Sequence, residues 1–158
     1  MSGKGALIVG CGFTGCELAQ RLAFGGRAVF GTTRSDQRSS VIRSRGAEPV
    51  LVDAGDWSPL RRLRGRVDVA VSCIPPRMER DGSWVDGTAA LLEELADFEL
   101  RAFVYVSSTS VYGDHGGEAV DERTPPSPDS PRGKARLEIE GQVLGSSLPA
   151  MVVRPAGI

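Results

Sequence analysis

The stretch Ala6-Leu7-Ile8-Val9-Gly10-Cys11-Gly12-Phe13-Thr14-Gly15 constrains this chain more than any other. A short apolar run ends in Gly-x-Gly-x-x-Gly, and residues 16–24 behind it read as a helix. Each glycine has a physical task in such a turn. Gly10 permits the tight bend, Gly12 lets the backbone approach a pyrophosphate, and Gly15 lets helix and strand pack closely. The helix then aims its free N–H groups and positive dipole end at the phosphates. The pattern alone also describes a glycine turn that holds nothing. After a strand, before a helix and at the head of a strand–helix alternation, it points to a dinucleotide.

The rest of the chain continues that alternation. Leu18 and Leu22, four apart with Ala19 beside them, give the first helix an apolar stripe, and Gly25-Gly26 closes it. Residues 27–33 read as a second strand. Ser35-Asp36 is a cap for a short polar helix to Arg45 with Val41 and Ile42 as its inner face. Residues 49–52 form a third strand. Ser58-Pro59 reads as an N-cap with proline at the first helical position, opening a brief helix to Leu63. Residues 67–73 are a valine-rich fourth strand stopped by Pro75-Pro76. Trp84, Thr88, Leu91, Leu92 and Leu95 then keep a helical period.

Residues 101–107 make a fifth strand. A loop of roughly twenty residues rich in glycine and proline follows, longer than a passive connection needs. A helix from about Arg132 to Leu144 and a sixth strand over residues 150–154 complete the series. These elements predict an α/β fold, a doubly wound parallel sheet of the Rossmann type. Its expected strand order is 3-2-1-4-5-6, with helices on both faces and one domain over residues 1–158.

Composition narrows the function classes. The net charge is -1 and no block of like charges occurs, which argues against a nucleic-acid partner or a basic membrane-binding face. No apolar run approaches the ~20 residues that span a bilayer. Met1-Ser2-Gly3-Lys4-Gly5 leads directly into a strand and lacks the layout of a signal peptide. Cys11, Cys16 and Cys73 form no disulfide or metal framework. An odd number of scattered thiols suits a reducing cytoplasm.

The end of strand two decides which dinucleotide fits. An acid there accepts from the ribose 2′-hydroxyl and favours NAD, whereas an arginine accommodates a 2′-phosphate. Here Thr32-Thr33 is followed by Arg34-Ser35. Arg34 offers a planar fork of donors suited to phosphate, and Thr33 or Ser35 can add a hydroxyl, so NADP(H) is expected, with NAD(H) as the alternative. Asp53 reads either as an acceptor for the adenine amino group or as an exposed turn acid. Cys73-Ile74-Pro75 leaves strand four at the switch point between strands one and four, where it can wall the adenine and ribose.

Tyr105-Val106-Ser107-Ser108-Thr109-Ser110-Val111-Tyr112-Gly113, together with Gly10 to Gly15 and Lys134, resembles the extended short-chain dehydrogenase/reductase superfamily, the NAD-dependent epimerase/dehydratase group. The likeness runs to the Arg154-Pro155-Ala156-Gly157-Ile158 ending. Extended members usually carry Gly-x-x-Gly-x-x-Gly; the shorter spacing here looks like the atypical branch, whose active-site residues are often altered. The resemblance implies that Ser108 orients the substrate oxygen. It also implies that Lys134 holds the cofactor ribose and would lower the pKa of a tyrosine four residues earlier. Ser130 stands at that position.

A serine hydroxyl has no accessible pKa near neutrality and does not replace a phenol as acid or base without a further base. Tyr112 as a displaced proton donor, and His115 as a titrating loop group, are weighed against packing and exposure respectively. On the resemblance, the family's C-terminal substrate-binding lobe is expected to be absent from residues 1–158. A substrate pocket is therefore expected from the 108–130 loop or from another chain, and a piece of a longer protein and a small binding domain fit equally well. The helix over residues 84–95 resembles one that dimerises in relatives.

The expected function is an NADP(H)-binding domain of an atypical epimerase/dehydratase-type oxidoreductase acting on a small molecule not named by the sequence. The alternative is a dinucleotide-sensing or interaction module without turnover. The cofactor set is Gly10, Gly12, Phe13, Thr14, Gly15, Thr33, Arg34, Asp53, Cys73, Ile74, Pro75 and Lys134; no metal is implied.

Overall fold

The structure, a computed structural model, describes residues 3–53, 55–85 and 87–156. Met1-Ser2, part of the leader reading, and Gly157-Ile158, the end of the family likeness, lie outside them. Four short segments build the middle of the sheet: β1 (Gly5–Val9), β2 (Val29–Thr33), β3 (Glu48–Leu51) and β4 (Val67–Ser72). All five residues of β1 and of β2 are buried, because both strands lie between helical layers and no face meets water.

Every pairing in the sheet is parallel. Leu7 lies opposite Phe30 on one side and Ala70 on the other, and β4 pairs onward with β7 (Ala102–Val106), which pairs with β8 (Ala150–Val153). The order is β3-β2-β1-β4-β7-β8, which counted over the sheet strands is 3-2-1-4-5-6. The reversal beside β1 creates the crevice at the carboxyl ends of β1 and β4.

Side-chain alternation sorts the core into two clusters. Leu7, Val9, Ala70, Phe103 and Tyr105 pack with Leu91 and Leu95 of α3 (Thr88–Leu95) and Ile139 and Val143 of α4 (Pro131–Leu144). On the opposite face Ile8 and Val71 pack with Cys16 and Ala19 of α1 (Phe13–Phe24) and Ile42 of α2 (Ser39–Ser44). At its far end this second face is thinner: Val104 and Val106 are half-buried, and Met151 and Val153 are exposed.

Several local expectations need correcting. The helix expected from Trp84 begins at Thr88, because Trp84–Val85 (β6) pairs antiparallel with Arg77–Met78 (β5) and Gly87 adopts φ 68 before the helix starts. Trp84 thus sits on a small ribbon outside the main sheet. Ser35-Asp36 opens a 3-10 turn, Asp36–Arg38, with no cap bond from the Ser35 side chain, and α2 follows. Ile42 is buried while Val41 is 42% exposed, so the inner face of α2 is narrower than expected. Ser58 is the first residue of a 3-10 helix, Ser58–Leu63, whose cap position is Trp57. The Ser58 N–H donates to Asp56 Oδ1 at 2.9 Å instead.

One buried charge ties the last strand to the last helix. Glu140 on α4 is 2% exposed, and Arg154 just past β8 grips it at two points, Nε to Oε1 at 3.1 Å and Nη2 to Oε2 at 2.7 Å. Arg154 Nη1 donates to the Tyr112 hydroxyl at 2.9 Å, and the guanidinium stands 4.9 Å from that ring centre. Removing one member of such a pair strands the other charge in the interior. Arg154→Met should therefore lose about 3–5 kcal/mol in urea denaturation. The double variant Arg154→Met/Glu140→Leu should recover most of that loss; equal destabilisation of single and double variants would show that the pair is not what matters.

Candidate functional site

The turn between β1 and α1 is held from below. Gly10 has φ 89, a conformation side chains rarely adopt, and its N–H donates to Thr32 Oγ1 at 2.8 Å. The Cys11 N–H donates to the Thr32 carbonyl at 3.0 Å, so β2 clamps two successive residues of the turn. A side chain at Gly10 would meet Ile74 Cγ1 at 3.0 Å, and one at Gly15 would meet the Gly10 carbonyl and Ile8 Cγ2, the latter at 3.1 Å. Nothing lies within 4 Å of a Cβ placed at Gly12, so no protein atom requires glycine there. Gly12 caps α1 without a side-chain bond, which leaves the first-turn N–H groups of a twelve-residue helix facing outward beside open space.

A cavity of about 710 Å³ opens at this turn. It brings together eight of the residues singled out from the sequence: Gly10, Gly12, Thr33, Arg34, Asp53, Cys73, Ile74 and Pro75. Phe13, Thr14, Gly15, Ser108, Ser130 and Lys134 do not line it. Phe13 is 84% exposed at the start of α1, and Gly15 is buried under the turn. Ser35, the other hydroxyl named beside Arg34, also lines it, as do Arg38, Gly55, Trp57, Arg77 and Gly87, which were not singled out.

Trp57, 7% exposed, donates from Nε1 to the Gly87 carbonyl at 3.1 Å and so joins the β3–β4 connection to the start of α3. Arg34 is exposed and has no hydrogen-bond or ion-pair partner among the described residues. Thr33 Oγ1 accepts from the Ser35 N–H at 3.2 Å, which curls the chain just past β2 and fixes where Arg34 leaves it.

The second group of expected residues forms a separate edge. Ser108 caps the 3-10 turn Thr109–Val111, its Oγ accepting from the Ser110 N–H at 3.1 Å. Ser130 caps α4, its Oγ accepting from the Gly133 N–H at 3.1 Å while Pro131 occupies the first helical position. The two caps are neighbours: a Cβ at Gly133 would lie 2.6 Å from the Ser110 carbonyl and 3.0 Å from Ser130 Oγ. Each serine keeps one O–H to donate, and neither has a base beside it in the hydrogen bonds present. The edge can bind and polarise an oxygen; it holds no ready proton relay.

Lys134, one turn into α4, is exposed. Tyr112 is buried with its hydroxyl accepting from Arg154, which fits the packing role. His115 Nε2 pairs with the Tyr112 carbonyl at 3.1 Å, away from the cavity.

Two thiols near the turn, Cys11 and Cys73, are held neutral. Burial pushes Cys11 up to about 12, with Cys16 and Cys73 adding to the shift, and burial pushes Cys73 up to about 11. Cys16 Sγ also donates to the Cys11 carbonyl at 3.4 Å. No group of three or more His, Cys, Asp or Glu among the described residues is placed to hold a metal ion. No helix among them is long and apolar enough to cross a membrane.

Comparison with known proteins gives this geometry a context. The model of the NAD dependent epimerase/dehydratase family matches residues 6–156. UDP-glucose 4-epimerase of Streptomyces lividans is 28% identical over 160 residues, spanning 93% of this chain and 48% of that protein. A conserved protein of unknown function from Silicibacter pomeroyi DSS is 33% identical with a TM-score of 0.80, over 98% of this chain and 53% of its own. UDP-glucuronic acid 4-epimerase from Bacillus cereus, in complex with UDP-glucuronic acid and NAD, shares the fold at 24% identity and a TM-score of 0.79, over 95% and 55% of the two chains. The chain spans about half the length of the relatives it matches.

The raised thiol pKa values carry a pH dependence with a definite sign. Unfolded cysteines titrate near 9.0, whereas Cys11 and Cys73 keep their protons to about 12 and about 11 in the fold. Above pH 9.0 the unfolded chain therefore binds fewer protons, and stability falls as pH rises toward the folded values, by up to about 1.4 kcal/mol per pH unit per thiol. Urea midpoints should drop between about pH 8 and about pH 10.5, and the Cys11→Ala/Cys73→Ala variant should show a shallower drop. An identical slope in that variant would sink the burial account.

Proposed function

The chain belongs to the NAD-dependent epimerase/dehydratase family, and on that premise we propose that it binds NADP(H) in the crevice at the β1 and β4 carboxyl ends. The carrying observation is the cavity that joins the Gly10–Gly12 turn to an unpartnered Arg34. In this reading Gly10, Gly12 and Gly15 shape the pyrophosphate seat, with Phe13 and Thr14 at the helix start supplying N–H donors. Arg34 takes the 2′-phosphate, with Thr33 shaping the strand end behind it. Asp53 accepts from the adenine amino group, and Cys73, Ile74 and Pro75 wall the adenine and ribose.

The nicotinamide end would lie toward the serine edge, with Lys134 at the ribose and Ser108 at a substrate oxygen. The bound dinucleotide would supply hydride chemistry there. The chain's own residues bind and orient, since Ser130 is engaged as a helix cap at the position of the family's tyrosine. That cap favours a second reading, binding without turnover. Three free cysteines support a reducing, cytoplasmic setting.

NADPH should raise the melting temperature more than NADH at equal concentration. A ligand at 100 times its Kd stabilises the fold by about 2.7 kcal/mol. Equal or absent shifts would remove the NADP(H) assignment. Turnover of NADPH against a panel of sugar-nucleotide and small carbonyl substrates, lost in Lys134→Ala, would support an enzyme. Binding with no turnover across the panel would support the second reading.

A further inference from the structure

The β2 end carries a second arginine that no sequence pattern pointed to. Arg38 closes the 3-10 turn Asp36–Arg38, four residues after Arg34, and both line the same cavity. Its Nη2 donates to the Cys11 carbonyl at 3.2 Å, so the side chain reaches back across the mouth from the β2 side to the glycine turn. One bond uses one of five N–H donors; the others have no protein partner among the described residues.

The charges nearby sharpen the picture. The cavity lining contains three arginines and a single acid, Asp53. Arg77 is already paired with Glu79 at 2.6 Å, which leaves Arg34 and Arg38 as the uncompensated pair. Asp36, the one acid between them in sequence, lines a different and smaller cavity with Pro49, Leu51 and Arg62. No carboxylate of this segment therefore competes for the two guanidinium groups, and none stands where it would repel a phosphate.

We infer that Arg38 is a second determinant of dinucleotide choice, closing on the ribose 2′-phosphate opposite Arg34 while its bond to Cys11 keeps the fork tethered to the pyrophosphate turn. This rests on the NADP(H) reading above and deepens it. A phosphomonoester presents three acceptor oxygens, more than one guanidinium fork satisfies, and two forks from successive turns of chain share them. The tether lowers the entropy lost when a long side chain is ordered on binding.

The probes are 2′,5′-ADP and 5′-ADP, which differ in the 2′-phosphate and share the adenosine and 5′ end. Titration calorimetry should show the wild-type chain binding 2′,5′-ADP with a preference that Arg34→Ala and Arg38→Ala each cut about tenfold. Affinity for 5′-ADP in the Arg38 variant should stay within about twofold of wild type. Arg38→Gln keeps a donor for the Cys11 carbonyl and removes the charge. It should lose the preference as well, and it serves if Arg38→Ala does not fold. Two results overturn the inference: a preference retained in Arg38→Gln, or a parallel loss for both probes, which marks Arg38 as a brace of the turn. If the wild-type chain shows no preference and Arg34→Ala changes nothing, the NADP(H) reading itself fails.

Discussion

The bond from the Gly10 N–H to Thr32 Oγ1 is the contact on which the site depends. It turns the chain out of β1 at a φ that suits glycine and pins that turn to the end of β2. Three consequences follow from one geometry. The cavity opens at the turn, α1 starts directly behind it at the Gly12 cap, and the β2 end is brought alongside, where Arg34 leaves the sheet. The bond is sheltered, since Thr32 is 2% exposed, so water does not compete for it.

A separate edge, outside the cavity lining, is built by capping. Ser108 and Ser130 each accept a backbone N–H at the start of a helical turn, and Gly133 lets the two turns meet closely. A hydroxyl used in this way stabilises structure and still offers a proton as a hydrogen-bond donor, but its pKa leaves it out of proton exchange. Below this edge, Arg154 joins Glu140 to Tyr112 and so ties α4, β8 and the Thr109–Val111 turn into one unit. The cavity thus opens at the glycine turn and the β2 end, and the capped serines lie outside its lining.

Much of this was legible in the residues. Short apolar runs marked all six sheet strands, valine-rich in the fourth and fifth, and the glycine spacing placed the turn. Where reading failed, a long-range contact had outweighed a local pattern. Trp84 keeps helical spacing with Thr88 and Leu91, yet it pairs with Met78 across a ribbon, and the left-handed Gly87 separates it from α3. Val41 and Ile42 are equally apolar neighbours, and only the direction of α2 against β3 decides which is buried.

By itself the sequence determined the sheet order, the glycine turn, the arginine in place of an acid directly after β2 and the serine four residues before Lys134. These are local facts of spacing and residue type, and local chemistry suffices to state them. Only the tertiary structure decided that Arg38 reaches Cys11 and that Trp57 is locked to Gly87. It also decided that Asp36 faces away into another cavity and that Ser130 is spent on capping α4. Each of these depends on where a side chain ends up relative to a distant backbone group. That is fixed by the packing of whole elements, and no window of neighbouring residues contains it.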